Sequence, residues 1–233
     1  MTSVTPTAEM QRPPRRVLDG IYAFSPNRAT LGATAYFIVE KDADGNPANL
    51  LIDTPPWDEE IAAFLASQGG VQWWTMTHRG GIGKVQPIQA ALGCPIVMQE
   101  QEAYLLPSVE NRVIYRDRFV FSAQTDVRWT PGHSPGSACV YHRAHGGVLF
   151  TGRHLLPQSG GAIAPLRFAK TFHWPRQLQQ VEALRAEFSS ATLAYLCPAA
   201  NVGFLRGDRA VANAYEALNA IDLDALRHST PLL

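Results

Sequence analysis

The sequence predicts an α/β domain built in layers, and three observations support this fold class. The 233 residues are 46% hydrophobic, which is enough for one sizeable core. A β-hairpin pattern over residues 34–55 precedes alternating helical and strand patterns. A second hairpin, over residues 138–152, precedes another helix and strand. Two such sets in one chain indicate sheets covered by helices.

The first set continues after the hairpin with elements of alternating type. Apolar residues at helical spacing in "WDEEIAAFLASQGG" predict a helix that ends at its glycines. The segments "VQWWTMT" and "PIVM" predict strands, and "VQPIQAALG" between them predicts a short helix. A glycine-rich loop, "HRGGIGK", joins the first of these strands to the short helix.

The second half is less regular until its own hairpin. "QEQEAYLLP" predicts a short helix, whereas "RFVF" and "DVRWT" predict short strands. After the hairpin come a loop over 153–173, a helix over 174–188, a buried strand over 191–198 and a last helix over 209–227. The polar, proline-rich residues 1–16 predict a flexible tail, and residues 17–233 predict one domain with a C-terminal helix.

Composition narrows the class of partner and the compartment. Lysine plus arginine and aspartate plus glutamate both number 20, so no general field attracts nucleic acid. No apolar run approaches bilayer length, and the N-terminus lacks the apolar segment of a secretory signal. Cys94, Cys139 and Cys197 stand apart in apolar surroundings, which is typical of buried free thiols. We therefore expect a cytoplasmic protein without a membrane partner.

Two short motifs carry competing interpretations. The glycine loop lies between a strand and a helix, as a phosphate-binding loop does, but "GGIGKV" has too short a gap before Lys84 and lacks the following Ser or Thr. "GHSPG" matches a nucleophile elbow around Ser134. In that elbow the next residue donates a backbone N–H to the oxyanion, and Pro135 has none. Both motifs therefore favour a turn over the catalytic interpretation.

Taken in order, "LLIDTP", "TMTHRGGIG", "TPGHSPGS" and "LFTGR" resemble the signature segments of the metallo-β-lactamase superfamily. The resemblance spans roughly Leu18 to Asn201. It implies a metallo-β-lactamase-like αβ/βα four-layer sandwich. Active members of that superfamily hold one or two metal ions with histidine and aspartate side chains and use them to activate water.

The resemblance also implies that most of the metal ligands are missing. His78 and His133 stand at two ligand positions and are vestigial ligands in this interpretation. The other positions carry residues that cannot ligate a metal through their side chains or that repel it. They are Gly80, Ile82, Gly83, Arg153 and Ala200. We therefore expect no metal cofactor, with a weak or partial zinc site at the two histidines as the alternative.

The substitutions point instead to an anion. Arginine offers a fixed fork of donors that matches a carboxylate or phosphate. We therefore predict a pseudoenzyme whose basic pocket binds a small anionic molecule or an acidic protein surface, with Asp53 shaping the site. His78 and His133 are the candidate catalytic residues, should activity remain. The predicted ligand-binding residues are Arg79, Arg153, His154, Lys170, His173 and Asp53.

Two other hypotheses stay open. One is a hydrolase of altered chemistry acting on an ester, thioester or phosphoester, either with one metal on His78, His133 and His154 or without metal, with a histidine moving protons. The other is a purely structural surface, in which Arg153 fills the old metal space by pairing with Asp53. Neither the ligand nor the oligomeric state follows from the sequence.

Overall fold

A computed structural model of the chain describes residues 13–232, and two β-sheets packed face to face form its centre. The first sheet keeps the order of the chain. Its first four strands are antiparallel neighbours, and the last four run parallel to one another. The strands are β1 (Arg15–Leu18), β2 (Ile21–Ala23), β3 (Tyr36–Ile38), β4 (Leu50–Ile52), β5 (Trp73–Thr75), β6 (Ile96–Gln99) and β7 (Arg112–Tyr115).

Eight further strands follow within the described residues. They are β8 (Arg118–Val120), β9 (Thr125–Trp129), β10 (Ala138–His142), β11 (Val148–Gly152), β12 (Leu156–Pro157), β13 (Ile163–Ala164), β14 (Tyr195–Pro198) and β15 (Val211–Ala212). The pair β12 and β13 stands alone, and the other six form the second sheet in the order β15, β14, β11, β10, β9, β8. Only β11 and β14 are parallel neighbours in this second sheet.

Helices cover the outer face of each sheet. Trp74 of the first sheet packs with Ile61 and Ile88 of the first two helices, and Leu149 of the second sheet packs with Val181 and Leu218 of later ones. The helices are α1 (Glu59–Ser67), α2 (Val85–Leu92), α3 (Trp174–Glu187), α4 (Ala214–Asn219) and α5 (Leu223–Arg227). The order helix, sheet, sheet, helix confirms the predicted αβ/βα sandwich.

The two sheets meet through a core of alternate side chains from their inner faces. Tyr36 of β3 and Phe150 of β11 lie edge to face across it, with ring centroids 5.2 Å apart. The predicted first hairpin is β3 and β4, and the second is β10 and β11. Cys94, Cys139 and Cys197 are free and buried, as predicted. Within residues 13–232, no helix is long and apolar enough to cross a bilayer.

Two predicted boundaries differ from the structure. The single helix predicted over 209–227 is instead β15, α4 and α5. Val211 pairs with Leu196 in the second sheet, and Asp222 breaks the helical run by capping α5 through the N–H of Ala225. Residues 15 and 16 of the predicted tail belong to β1, and residues 1–12 of that tail lie outside the described part of the chain.

Two smaller differences concern short segments. The helix predicted in "QEQEAYLLP" is a single 3₁₀ turn over Ala103–Leu105. Six strands were not predicted: β1, β2, β7, β12, β13 and β15. Each is short, and β12 and β13 contain only two residues each, so the alternation that marks a strand is too brief to recognise.

Candidate binding site

A cavity of about 350 Å³ opens at the ends of strands from both sheets. His78 follows β5, His133 follows β9, and Arg153 follows β11 directly. The cavity therefore lies at one edge of the sandwich, where the glycine loop, the "GHSPG" loop and the loop after β11 meet. Its polar lining is His78, Arg79, His133, Arg153 and Lys170, and its other lining residues are Leu31, Gly80, Phe168, Ala169 and Leu232.

His78 is held from behind by a chain of hydrogen bonds. The Thr77 hydroxyl donates to Oδ2 of Asp53 over 2.6 Å, and the Thr77 backbone N–H donates to Oδ1 over 2.8 Å. Nδ1 of His78 lies 3.0 Å from the same Thr77 hydroxyl oxygen and 3.9 Å from the Asp53 carboxylate. All three side chains are buried, so the imidazole ring is fixed in one orientation.

Asp53 occupies an unusual position for an acid. Its φ is 59°, in the left-handed region that aspartate tolerates better than most residues, and only 1% of it is exposed. Burial raises the pKa of Asp53 to about 6, against the opposing effect of the hydrogen bonds from Thr77. A Cβ at Gly81 would lie 2.4 Å from Oδ1 of Asp53, so the glycine loop packs directly on this carboxylate.

His133 faces His78 across the floor of the cavity. The two rings are arranged edge to face with centroids 5.7 Å apart, and His133 makes a similar contact with Phe168 at 6.4 Å. Burial, followed by the charges of Arg153 and Arg79, lowers the pKa of His133 to about 4. Burial and nearby charges likewise hold the pKa of His78 well below its ordinary value. Both imidazoles are therefore neutral at physiological pH.

Three cations stand at the cavity, and two of them feel a carboxylate at longer range: Asp53 acts on Arg153, and Glu102 lies near Arg79. Within residues 13–232, no ion pair joins Arg79, Arg153 or Lys170 to a carboxylate. The guanidinium of Arg153 is partly buried and donates to the carbonyl oxygen of Leu31 over 2.8 Å. Its Nε has no hydrogen-bond partner among the same residues. The side chains of Arg79 and Lys170 are exposed at the rim.

The cavity also has apolar lining residues, and one of them, Leu232, is the last residue that the structure describes. Leu232 pairs with the loop before α3: its N–H donates to the carbonyl oxygen of Arg167 over 2.6 Å, and its carbonyl oxygen accepts from Ala169 over 3.2 Å. Arg167 also donates to the backbone of Ser229. These bonds hold Leu232 against Phe168 beside the cavity.

The donor set does not fit a two-metal centre. Two imidazoles remain, whereas catalytic zinc sites ordinarily use three protein ligands. Within the described residues, no group of three His, Cys, Asp or Glu side chains is arranged to hold a metal ion. A Cβ at Gly80 would lie 3.1 Å from the His78 ring, so a metal-binding side chain at this position would require the His78 ring or the glycine loop to move. The guanidinium of Arg153 adds a fixed positive charge.

The structure gathers five of the predicted site residues around the cavity: His78, Arg79, His133, Arg153 and Lys170. Three others lie elsewhere. Asp53 lies behind His78, beyond Thr77. His154 is buried, does not line the cavity, and finds no partner for either ring nitrogen within residues 13–232. His173 caps α3, because its Nδ1 accepts from the N–H of Arg176.

Sequence reasoning also missed several residues. Thr77 was not among the predicted site residues, although in the structure it lies between Asp53 and His78, which were. Leu31 and Leu232 come from segments remote in sequence, and nothing local indicates that they meet at the cavity. Ser134 is a turn residue as predicted: it is buried, its hydroxyl lies 2.8 Å from that of Ser137, and a strand follows instead of a helix.

Arg153 was predicted either to face a ligand in a pocket or to pair with Asp53 in a closed site. In the structural hypothesis Arg153 pairs with Asp53 and the old metal space is closed. The described residues instead contain a cavity, and no ion pair joins these two side chains. Asp53 is satisfied by Thr77, while the charge of Asp53 reaches Arg153 only at longer range.

Comparison with known proteins starts from the sequence. The chain matches no family model. Over 143 residues it is 31% identical to a hydroxyacylglutathione hydrolase of Rhodospirillum rubrum, a match that covers 58% of this chain and 53% of that protein. The match therefore spans about half the length of this curated relative.

Solved structures give a broader match. The DIM-1 metallo-β-lactamase aligns with a TM-score of 0.63 and 12% identity over 93% of this chain and 99% of its own. The BLEG-1 B3 metallo-β-lactamase aligns with a TM-score of 0.59 and 16% identity over 84% and 95%. A metallo-β-lactamase superfamily protein of the archaeon Sulfolobus tokodaii aligns with a TM-score of 0.56 and 14% identity over 90% and 99%.

At these identities the structural matches establish the fold and leave the activity open. They agree with the order of layers described above. The chain therefore has the metallo-β-lactamase fold, which confirms the resemblance of its sequence to the metallo-β-lactamase superfamily.

Proposed function

We propose that this protein binds a small organic anion with an apolar portion in the cavity beside His78 and His133, without a resident metal. The observation that carries the proposal is the set of three cations, Arg79, Arg153 and Lys170, which form no ion pair with a described acid, on a cavity whose remaining lining is mostly apolar. A carboxylate or phosphate would meet the cations, and a short hydrocarbon portion would lie against Leu31 and Phe168.

The state of Arg153 supports this proposal. Desolvating a cation is costly unless hydrogen bonds and an opposite charge compensate it. Arg153 is partly buried, directs one donor at the carbonyl of Leu31 and leaves Nε without a partner among residues 13–232. An anion bound at its remaining donors would supply the missing compensation through charge-assisted hydrogen bonds.

The size of the cavity favours a small molecule over a protein surface as the occupant. About 350 Å³ lies at the lower end of the range for small-molecule sites. Arg153 lies among buried residues, where a folded acidic surface would reach it less readily than a free carboxylate would. An acidic protein partner would instead depend on the exposed rim cations Arg79 and Lys170.

Calorimetry with hexanoate, in buffer containing EDTA, tests the proposal. Hexanoate should bind the wild-type protein, and hexylamine, which has the opposite charge, should not. Arg153→Gln should weaken hexanoate binding by at least ~10-fold, since a charge-assisted contact is lost. Arg116→Gln is the matched control, because Arg116 is 80% exposed and lies outside the cavity lining. Equal affinity of the wild type and Arg153→Gln for hexanoate would sink the proposal.

A second candidate function is hydrolysis of an ester, thioester or phosphoester, and two observations favour keeping it. One is the partial match to a hydroxyacylglutathione hydrolase. The other is His78, a neutral imidazole oriented by Thr77 and Asp53, which is a state in which a histidine can accept a proton from water. Turnover of a thioester panel by EDTA-treated and zinc-loaded protein, compared with His78→Ala, tests it. Absence of turnover in both preparations would remove this candidate.

A further inference from the structure

The segments at the mouth of the cavity carry cations and no acids. The exposed residues of the cavity lining come from four segments, called the mouth segments below: 25–33, 78–87, 166–173 and 228–232. None of them contains aspartate or glutamate, although acidic and basic residues are equal in number over the whole chain. Arg28, Arg79 and Lys170 are exposed on these segments and form no ion pair within residues 13–232. The mouth segments therefore present positive charge to solvent.

The acids that act on the cavity cations at longer range do not reach the surface. Asp53, which acts on Arg153, and Glu102, which acts on Arg79, are each only 1% exposed. Asp53 accepts from Thr77, and Glu102 packs so closely on Gly136 that a Cβ there would lie 2.8 Å from its Cγ. Both carboxylates are thus held inside the protein, and the exposed charge of the mouth segments is positive.

Leu31 is held in an exposed position by a strained turn. Its φ is 56°, in the left-handed region that is unfavourable for leucine, and 74% of the residue is exposed. The turn is well anchored. The N–H of Asn27 donates to the carbonyl oxygen of Ala33 over 2.9 Å, and Nδ2 of Asn27 donates to that of Pro55 over 3.0 Å. Strain that keeps an apolar side chain in water points to a function for that side chain outside the protein.

Two further apolar side chains project from the mouth segments. Phe172 is 48% exposed and Leu232 is 49% exposed. Their backbones are also anchored, since the N–H of Phe172 donates to the carbonyl oxygen of His133 over 3.1 Å and that of Leu232 to Arg167 over 2.6 Å. Three separate segments thus hold large apolar side chains among exposed cations. This combination is typical of proteins that bind at the surface of an anionic membrane.

We infer that the mouth segments bind the surface of a lipid bilayer that contains anionic headgroups. The exposed cations meet the headgroups, and the exposed apolar side chains enter the boundary with the acyl chains. A fluid lipid surface accommodates side chains from separate turns without the matched shape that a protein partner needs. The expectation of no membrane partner rested on the lack of a run of bilayer length, which binding at the surface does not require. The inference does not depend on anion binding in the cavity.

Cosedimentation of the 233-residue chain with vesicles tests the inference. The vesicles contain phosphatidylcholine alone or phosphatidylcholine mixed with phosphatidylserine. The wild type should bind the mixed vesicles at least ~10-fold more tightly, and added salt should weaken this binding by screening the charges. Lys170→Gln should weaken it by ~5-fold, as expected for one cation near an anionic surface. Lys41→Gln is the matched control, because Lys41 is exposed beyond the end of β3 that lies away from the cavity.

Phe172→Ser separates membrane binding from the proposed function. Phe172 is exposed but does not line the cavity, so this variant should lose ~10-fold or more in vesicle affinity and keep its affinity for hexanoate. Arg153→Gln should do the reverse, because Arg153 is partly buried within the cavity. Val120→Ser is the apolar control: Val120 is 58% exposed on β8, outside the cavity lining, and its loss should leave vesicle binding unchanged.

NMR of the wild type provides a measurement that needs no variant. Spin labels on the lipid acyl chains should broaden the methyl resonances of Leu31 and Leu232 and leave those of Val120 sharp. Equal affinity for the two kinds of vesicle, or broadening of Val120 instead of Leu31, would overturn the inference. Failure to bind either vesicle would also overturn it and would leave an acidic protein as the partner of the exposed cations. Failure of hexanoate to bind would overturn only the proposed function.

Discussion

The guanidinium of Arg153 donates to the backbone carbonyl of Leu31 over 2.8 Å and forms no ion pair with Asp53. Arg153 directly follows β11 and Asp53 directly follows β4, and these strands bring the two residues to the same edge of the sandwich. The acid is turned inward to Thr77, and the cation faces the cavity. We expect this division of the charges to affect both the stability of the protein and its selectivity for ligands.

Gly81→Ala should destabilise the protein by about 2 kcal/mol, because its Cβ would lie 2.4 Å from Oδ1 of a fully buried carboxylate. Gly203→Ala is the matched control: no described atom lies within 4 Å of the position that its methyl group would take, and its φ is not positive. Chemical denaturation of both variants gives the comparison. Similar stabilities for the two variants would mean that Asp53 is not held against the glycine loop.

Asp53→Asn should change how stability depends on pH. The pKa of Asp53 is raised from 3.8 to about 6 in the folded state, so the folded protein binds this proton more tightly than the unfolded chain. The resulting stabilisation is complete below pH 3.8 and is lost as the pH rises through about 6. Across this window the wild type should lose about 3 kcal/mol relative to Asp53→Asn. Urea denaturation at a series of pH values measures the difference, and parallel curves would contradict the prediction.

His154 should change the pH dependence of stability with the opposite sign to Asp53. Burial lowers its pKa from 6.5 to about 3, so the unfolded chain takes up a proton that the folded protein refuses. The stability is fully present above pH 6.5 and falls as the pH drops toward about 3. His154→Leu should therefore lose about 2 kcal/mol less than the wild type between pH 7 and pH 5. If the stabilities of the wild type and the variant changed equally with pH in that window, His154 would take up its proton as readily in the folded protein as in the unfolded chain.

Leu232→Ser should weaken the binding of longer acids more than that of shorter ones. Leu232 belongs to the apolar lining of the cavity, and each methylene of a ligand that is buried there is worth about 0.8 kcal/mol. Calorimetry with butanoate, hexanoate and octanoate should show a smaller gain per carbon in the variant. Phe204→Ser is the control, because Phe204 is also exposed and lies away from this cavity. An unchanged gain per carbon would place the hydrocarbon portion elsewhere.

The main elements of the fold follow from local patterns. The turn-forming "DADGNP" sets the first hairpin, and Asp58 caps α1 by accepting from the N–H of Ile61, as its sequence context favours. The long last helix was wrong for a tertiary reason. Val211 and Ala212, near the start of the predicted helix, have helical neighbours in sequence but pair with β14 at the sheet edge.

The sequence predicted which residues belong to the candidate site better than it predicted where their side chains lie. Motif order identified His78, His133 and Arg153, and all three line the cavity. His173 caps α3 and is not among the lining residues of the cavity, because a residue just before a helix is recruited by the free backbone N–H groups of the first turn. His154 points into the protein although its neighbour Arg153 reaches the cavity.

The sequence alone determined the layered α/β class and the metallo-β-lactamase resemblance, because these depend on residue identity and short spacing. Only the tertiary structure decided which partners Asp53 and Arg153 have. Asp53 and Thr77 come together from adjacent strands of the first sheet, and Leu232 reaches the cavity from a distant segment. Such contacts depend on how the strands and loops pack, and no local pattern in the sequence encodes them.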